Sequence, residues 1–167
     1  HLSVAGLDVI KIERTDLTAD AESLTLAAMK AGVSIIVQGS FSYGGWIGRP
    51  DILRRIEVPS ALGSWSYEAI DTKLARETKA GTIIQLCLYS DLLRITQGVA
   101  PEFMYVVPPW SDFQPQQYRF TDYAAYFRKA KRGLRDALSA EPDKSTYPEP
   151  VAHCDVCGWR NECDCLL

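Results

Sequence analysis

The spacing of hydrophobic positions changes several times along the 167 residues of the chain, and each change marks an element. Residues 7–12 form a short apolar-rich run that predicts a strand. Residues 21–30 are helically spaced and closed by Gly32, a residue suited to the left-handed conformation after a helix end. The run VSIIVQGSF over residues 33–41 is dense in β-branched side chains and predicts a buried strand. Gly44 and Gly45 then predict a tight turn, and residues 46–57 an antiparallel partner. After a second turn over residues 59–63, residues 65–74 alternate so that Tyr67, Ala69, Asp71 and Lys73 share one side of a strand. Over residues 78–94 the period becomes helical, with Ile84, Leu88 and Leu92 as the expected inward row and Gln85 and Tyr89 stacked one turn apart. Phe103–Val107 predicts a further strand stopped by Pro108-Pro109, and Thr121 is the expected N-cap of a helix over residues 123–138. This order of strands and helices is an α/β pattern.

Composition narrows the classes. With 47% hydrophobic residues, the chain supports one domain with a substantial core. Its longest apolar runs are interrupted by polar residues and are too short to span a membrane, so a soluble, cytoplasmic protein is expected. It opens on His1 rather than Met and shows no signal-peptide pattern, which predicts a piece of something longer. A net charge of −3 excludes a generally basic nucleic-acid coat, leaving local patches and bound cations to hold any polyanion. Arg128, Lys131, Arg132 and Arg135 form one such patch at helical spacing, and an ordinary solvated face accounts for it equally well.

Three strings carry candidate chemistry: Arg49-Pro50-Asp51, Asp71-Thr72-Lys73, and Gln85 with Tyr89 four residues on. Phosphodiester cleavage with a divalent cation needs carboxylates to hold the ion and a positive charge near the attacking water and the scissile phosphate. Asp51 and Asp71 supply the carboxylates, joined by the backbone carbonyl of Thr72, and Lys73 supplies the charge. Gln85 sits at a height from which it reaches the metal or a phosphate, and Tyr89 one turn on reaches the sugar-phosphate backbone. Each string alone has a plain structural explanation as a turn cap, a surface ion pair or a helix-surface contact. Their joint order and context favour the chemical one.

At these residues the sequence resembles the RecB-like branch of the PD-(D/E)xK nuclease superfamily. The similarity is strongest in GRPDILRR, SYEAIDTKLARETKAGTIIQLCLYSDLL and YPEPVAHCDVCGWRNEC. It implies a restriction-endonuclease-like α/β core over residues 1–140, a central mixed sheet flanked by helices, cutting DNA with Mg²⁺ or Mn²⁺. It also implies single strands or ends as substrate, a role in DNA repair, and a helicase domain or subunit as partner. Asp51, Asp71 and Lys73 inherit the catalytic roles by this resemblance, and Gln85 and Tyr89 the accessory motif. The chain departs from the family in one respect: nothing before Leu7 is long enough for the helix that carries a further His or Glu in family members.

A composition shift to proline, charge and small polar residues over 141–150 predicts a linker into a small Cys-rich module ending the chain, so that residues 141–167 form a second unit. Cys154, Cys157, Cys163 and Cys165 are dense enough to ligate zinc, with His153 or Cys165 as fourth ligand, or an iron–sulfur cluster. The resemblance favours a [4Fe–4S] cluster on Cys154, Cys157 and Cys163 that staples the core. No cysteine precedes Cys87, which reads as a small core residue. The competing class is a catalytically inactive DNA-binding or scaffold module that keeps the fold and the cysteine site.

Overall fold

The computed structural model describes residues 2–4, 6–13, 19–75, 77–139 and 151–161. It divides into two compact units, residues 1–129 and 130–167. No described helix is long and apolar enough to cross a membrane.

The first unit is α/β. Its strands are β1 (Leu2–Val4), β2 (Leu7–Lys11), β3 (Ile35–Val37), β4 (Phe41–Tyr43), β5 (Trp46–Gly48), β6 (Ile52–Ile56), β7 (Ser66–Thr72), β8 (Phe103–Val107) and β9 (Gln116–Arg119), and its helices are α1 (Ala19–Lys30), α2 (Ala80–Gln97) and α3 (Phe120–Ser139), whose second half enters the other unit. Seven strands form one mixed sheet in the order β1-β2-β3-β6-β7-β8-β9, and β4 and β5 pair separately. Strands β3, β6 and β7 are successively antiparallel, and α2 then carries the chain over to β8, which lies parallel to β7.

Next to the middle strand β6 lies β7, six of whose seven residues are buried, as expected of a strand covered on both faces. Its neighbour β6 contributes Leu53, and α1, α2 and β8 contribute Met29, Leu86, Leu93, Met104 and Val106 to one continuous core. Inside that core the Gln97 side chain accepts from the Tyr67 backbone N–H at 2.8 Å and donates to the Tyr67 carbonyl at 3.2 Å. The end of α2 is thereby locked to the start of β7. The helix closes on Gly98, in the left-handed conformation at φ 76°, whose N–H bonds the Arg94 carbonyl.

The hairpin expected over residues 33–57 is broken in two. Gln38 adopts φ 59°, a left-handed value uncommon for a non-glycine residue, and this ends β3. On the return path Pro50, which has no N–H to give a ladder, separates β5 from β6. The broken tips form the β4–β5 ribbon, and Asp51 lands at the break, immediately before β6.

Two further expectations are corrected. In α2, Ile84 and Leu88 are only half-buried, and the buried positions are Ile83, Leu86, Cys87, Tyr89, Ser90, Leu92, Leu93 and Gln97. The helix packs on β7 and β8 and also against β4 and β5, so a single row cannot satisfy it. Thr121 lies inside α3 rather than capping it, because β9 runs directly into a helix anchored by the buried Phe120, whose N–H bonds the Glu102 carbonyl at 3.0 Å. The pairings of β1 and β9 at the two sheet edges extend the strand set read from the sequence.

In the second unit a 3₁₀ turn spans Ala152–Val156, and the Cys157 N–H bonds the Cys154 carbonyl at 3.2 Å. The expected linker over 141–150 and the candidate ligands Cys163 and Cys165 lie outside the described residues.

Candidate active site

The site assembles where β6 begins and β7 ends. In an antiparallel pair these two points are adjacent, and Ile52 pairs with Ile70. Asp51, one residue before β6, therefore stands beside Asp71 and Thr72. One of its carboxylate oxygens accepts from the Thr72 backbone N–H at 2.8 Å and from the Thr72 hydroxyl at 2.6 Å, and the other accepts from Gln38 Nε2 at 3.1 Å. Burial pulls the Asp51 carboxyl towards its protonated form, but these hydrogen bonds and the charge of Lys73 outweigh it. The pKa comes to rest below the ordinary 3.8.

Asp71 is 2% exposed. Burial raises its pKa above 3.8, the Lys73 ammonium opposes that rise, and the facing Asp51 carboxylate adds to it through charge and a direct hydrogen bond. Two acids thus face one another and are driven apart in proton affinity, that of Asp51 lowered and that of Asp71 raised.

Lys73 Nζ lies 2.5 Å from Asp71 Oδ2, as expected for positions i and i+2 on one face of an extended chain. Its position is fixed from the other side by α2. Lys73 Nζ donates to Gln85 Oε1 at 3.0 Å, and Gln85 Nε2 donates to the Tyr89 hydroxyl at 2.5 Å. A single amide serves both neighbours, so its orientation is determined. Burial raises the pKa of Tyr89, which stays a neutral phenol.

All five candidate residues are brought together. Asp51, Asp71, Lys73, Gln85 and Tyr89 form a connected polar cluster at one end of the central strands, reaching from the buried Asp71 and Tyr89 to the half-buried Asp51, Lys73 and Gln85. Two contributors were not read from the sequence. Gln38 holds Asp51, and its only sequence signal is a polar residue followed by glycine inside a β-branched run. The Thr72 hydroxyl also holds Asp51, whereas the sequence suggested only its backbone carbonyl. The helix before β3 is α1, whose acidic first-turn residues are Asp20 and Glu22. Asp20 is exposed and Glu22 half-buried, and among the described residues no third His, Cys, Asp or Glu joins the two carboxylates.

The donors present fit a hard divalent cation. Two carboxylates at close quarters, one of them buried, supply the hard oxygen donors such an ion takes.

Cys87 is fully buried in α2, and burial lifts its thiol to about 11, in keeping with a core role. Cys154 and Cys157 are free thiols, and Cys154 Sγ accepts from the Val151 N–H at 3.3 Å. Along α3, Arg128, Arg132 and Arg135 are exposed while Lys131 is half-buried. No family model matches the chain, and no curated protein matches its sequence.

Proposed function

We propose that the protein is a metal-dependent nuclease that hydrolyses DNA phosphodiester bonds, with Mg²⁺ or Mn²⁺ held by Asp51, Asp71 and the Thr72 carbonyl. The observation that carries this reading is the pairing of two facing carboxylates with an ammonium 2.5 Å from the buried one. The topology supports it too: an antiparallel β3-β6-β7 sheet followed by a helical crossover to a parallel β8 is the arrangement expected of a restriction-endonuclease-like core.

A cation bound there supplies Lewis-acid polarisation of a phosphate oxygen and a more acidic bound water. The protein residues do the rest. Asp51, kept ionised by Thr72 and Gln38, gives a fixed negative anchor. Lys73 hydrogen-bonds the attacking water or a non-bridging phosphate oxygen and offsets the charge that builds in the phosphorane-like transition state. Gln85 keeps the ammonium from swinging away, and Tyr89 steadies Gln85. Cys154, Cys157, Cys163 and Cys165 form, in this proposal, a structural [4Fe–4S] or zinc site. Its support is the density of cysteines and the turn that joins the first two.

The test is cleavage of end-labelled single-stranded DNA with Mg²⁺ or Mn²⁺ by the parent, Asp71→Ala and Lys73→Ala. Both variants should fall to background while circular dichroism shows the fold intact. Activity surviving both changes removes these residues from the mechanism.

A further inference from the structure

Beside Lys73 the chain leaves an open apolar cleft of about 110 Å³, lined by Thr72, Lys73 and Leu74 after β7 and by Val107, Pro109 and Phe113 after β8. The hydrophobic side chains at its mouth are poorly covered. Phe113 is 70% exposed and Leu74 94%. The loop that presents them is held firmly. Trp110 Nε1–H donates to the Ala75 carbonyl at 3.1 Å, tying one wall to the other, and Ser111 Oγ bonds the carbonyls of Pro108 and Gln114 at 2.9 and 2.8 Å.

The same loop holds two consecutive non-glycine residues in the left-handed region, Asp112 at φ 53° and Phe113 at φ 58°. For a bulky aromatic residue this is a costly conformation, and such outliers persist where the surroundings impose them. Its result is a Phe ring held out in water on the wall of the cleft that Lys73 also lines.

We propose that this cleft is a stacking subsite for one unpaired nucleobase, with Phe113 as the platform, on the strand whose phosphate is held at Lys73; the proposal rests on the nuclease reading. Two observations select this occupant. The cleft shares Thr72 and Lys73 with the candidate active site, so a strand anchored there has its next base at the cleft mouth. The cleft is open on one side, so a planar ring can lie flat against Phe113 without being enclosed. A base inside a duplex already stacks on its neighbours and cannot enter. Stacking on an aromatic ring tolerates any base, because every base has a π-face. The subsite therefore selects single strands over duplex and reads no sequence.

The test uses the full chain, labelled single-stranded oligodeoxynucleotides and Mn²⁺, and reads KM separately from kcat. Phe113→Ala should raise KM by roughly 5- to 150-fold, the range for losing one base–aromatic stack, with kcat little changed. An abasic site scanned along the oligonucleotide should reproduce that loss at one position near the cut in the parent and add nothing in Phe113→Ala. Phe113→Trp should restore KM and Phe113→Leu should not, which separates stacking from general apolar contact. An active parent whose KM is indifferent to Phe113→Ala and to every abasic position overturns the subsite alone. An inactive parent overturns the subsite and the nuclease reading together.

Discussion

Gly48 is the last residue of β5 and stands three positions before Asp51, on the ribbon that packs against α2. A methyl group on it would lie 2.7 Å from Leu92 Cδ1 and 2.9 Å from Tyr89 Cδ1, and ordinary contact begins at 3.4 Å. Neither neighbour has room to yield, since Leu92 and Tyr89 are 1% and 5% exposed and the Tyr89 hydroxyl is held by Gln85. Overpacking of this kind costs about 1–3 kcal/mol. For a domain of this size each kcal/mol lowers Tm by roughly 2–4 °C, so Gly48→Ala should melt about 2–12 °C below the parent by circular dichroism. The strain has a direction as well as a size. The Tyr89 ring must retreat by about 0.5 Å, and the relay Tyr89–Gln85–Lys73 passes that displacement to the ammonium, with a loss of cleavage on the order of 10-fold well below Tm. Leu92→Ala alone should cost about 2–5 kcal/mol through the cavity it leaves. Combined with Gly48→Ala it should cost less than the sum, because the new methyl group occupies part of that cavity. A Gly48→Ala protein that melts with the parent, and whose effect adds simply to that of Leu92→Ala, would refute the close approach and the relay built on it.

Asp71 has a raised folded-state pKa, so folding favours its protonated form, and its contribution to stability is full below pH 3.8 and lost as pH rises through the folded value. Asp71→Asn should therefore melt at or above the parent at pH 7, the gap widening from pH 3 upward, while cleavage falls to background; a lower Tm at pH 7 contradicts this. Asp51 has the opposite sign: its lowered pKa gives stability present above pH 3.8 and lost as pH falls through the folded value. Thr72→Val, which removes the hydroxyl bonded to Asp51, should cost about 1 kcal/mol at pH 7 and progressively less in acid, and a pH-independent deficit in thermal melts would argue against that bond. Phe113→Gly, by relieving the left-handed strain, should raise Tm by a few degrees while raising KM for single-stranded DNA, a combination that no loss of packing produces. Anaerobically purified protein should show the broad visible absorption of a [4Fe–4S] cluster, lost in Cys157→Ala, whereas a colourless protein with one equivalent of zinc selects the other metal.

What the sequence reveals here, and what it hides, follows from the range of the interactions involved. Phe103–Val107 and the alternation through Tyr67, Ala69 and Asp71 are legible because period 2 is a local property, and it alone places Lys73 on the Asp71 side. The Gln85–Tyr89 pairing is legible for the same reason, being one helical turn. The break in the first hairpin is not, because local propensity in VSIIVQGSF favours continuing the strand. Tertiary contacts decide against it: Gln38 turns left-handed and bonds Asp51 across 13 residues, Pro50 interrupts the return, and Gly48 lets the detached ribbon lie on Tyr89 and Leu92. That interruption is also what makes the candidate site. Even at the break the Asp51 carbonyl accepts the Gln38 N–H at 2.8 Å, so its backbone stays anchored. Broken at that point, the chain leaves the Asp51 carboxylate facing Asp71, with a Thr72 donor on one oxygen and a Gln38 donor on the other. The residue where strand prediction fails and the residue on which the proposed chemistry depends are thus held by the same contacts, as expected where a fold departs from its local preferences in order to place a charged group.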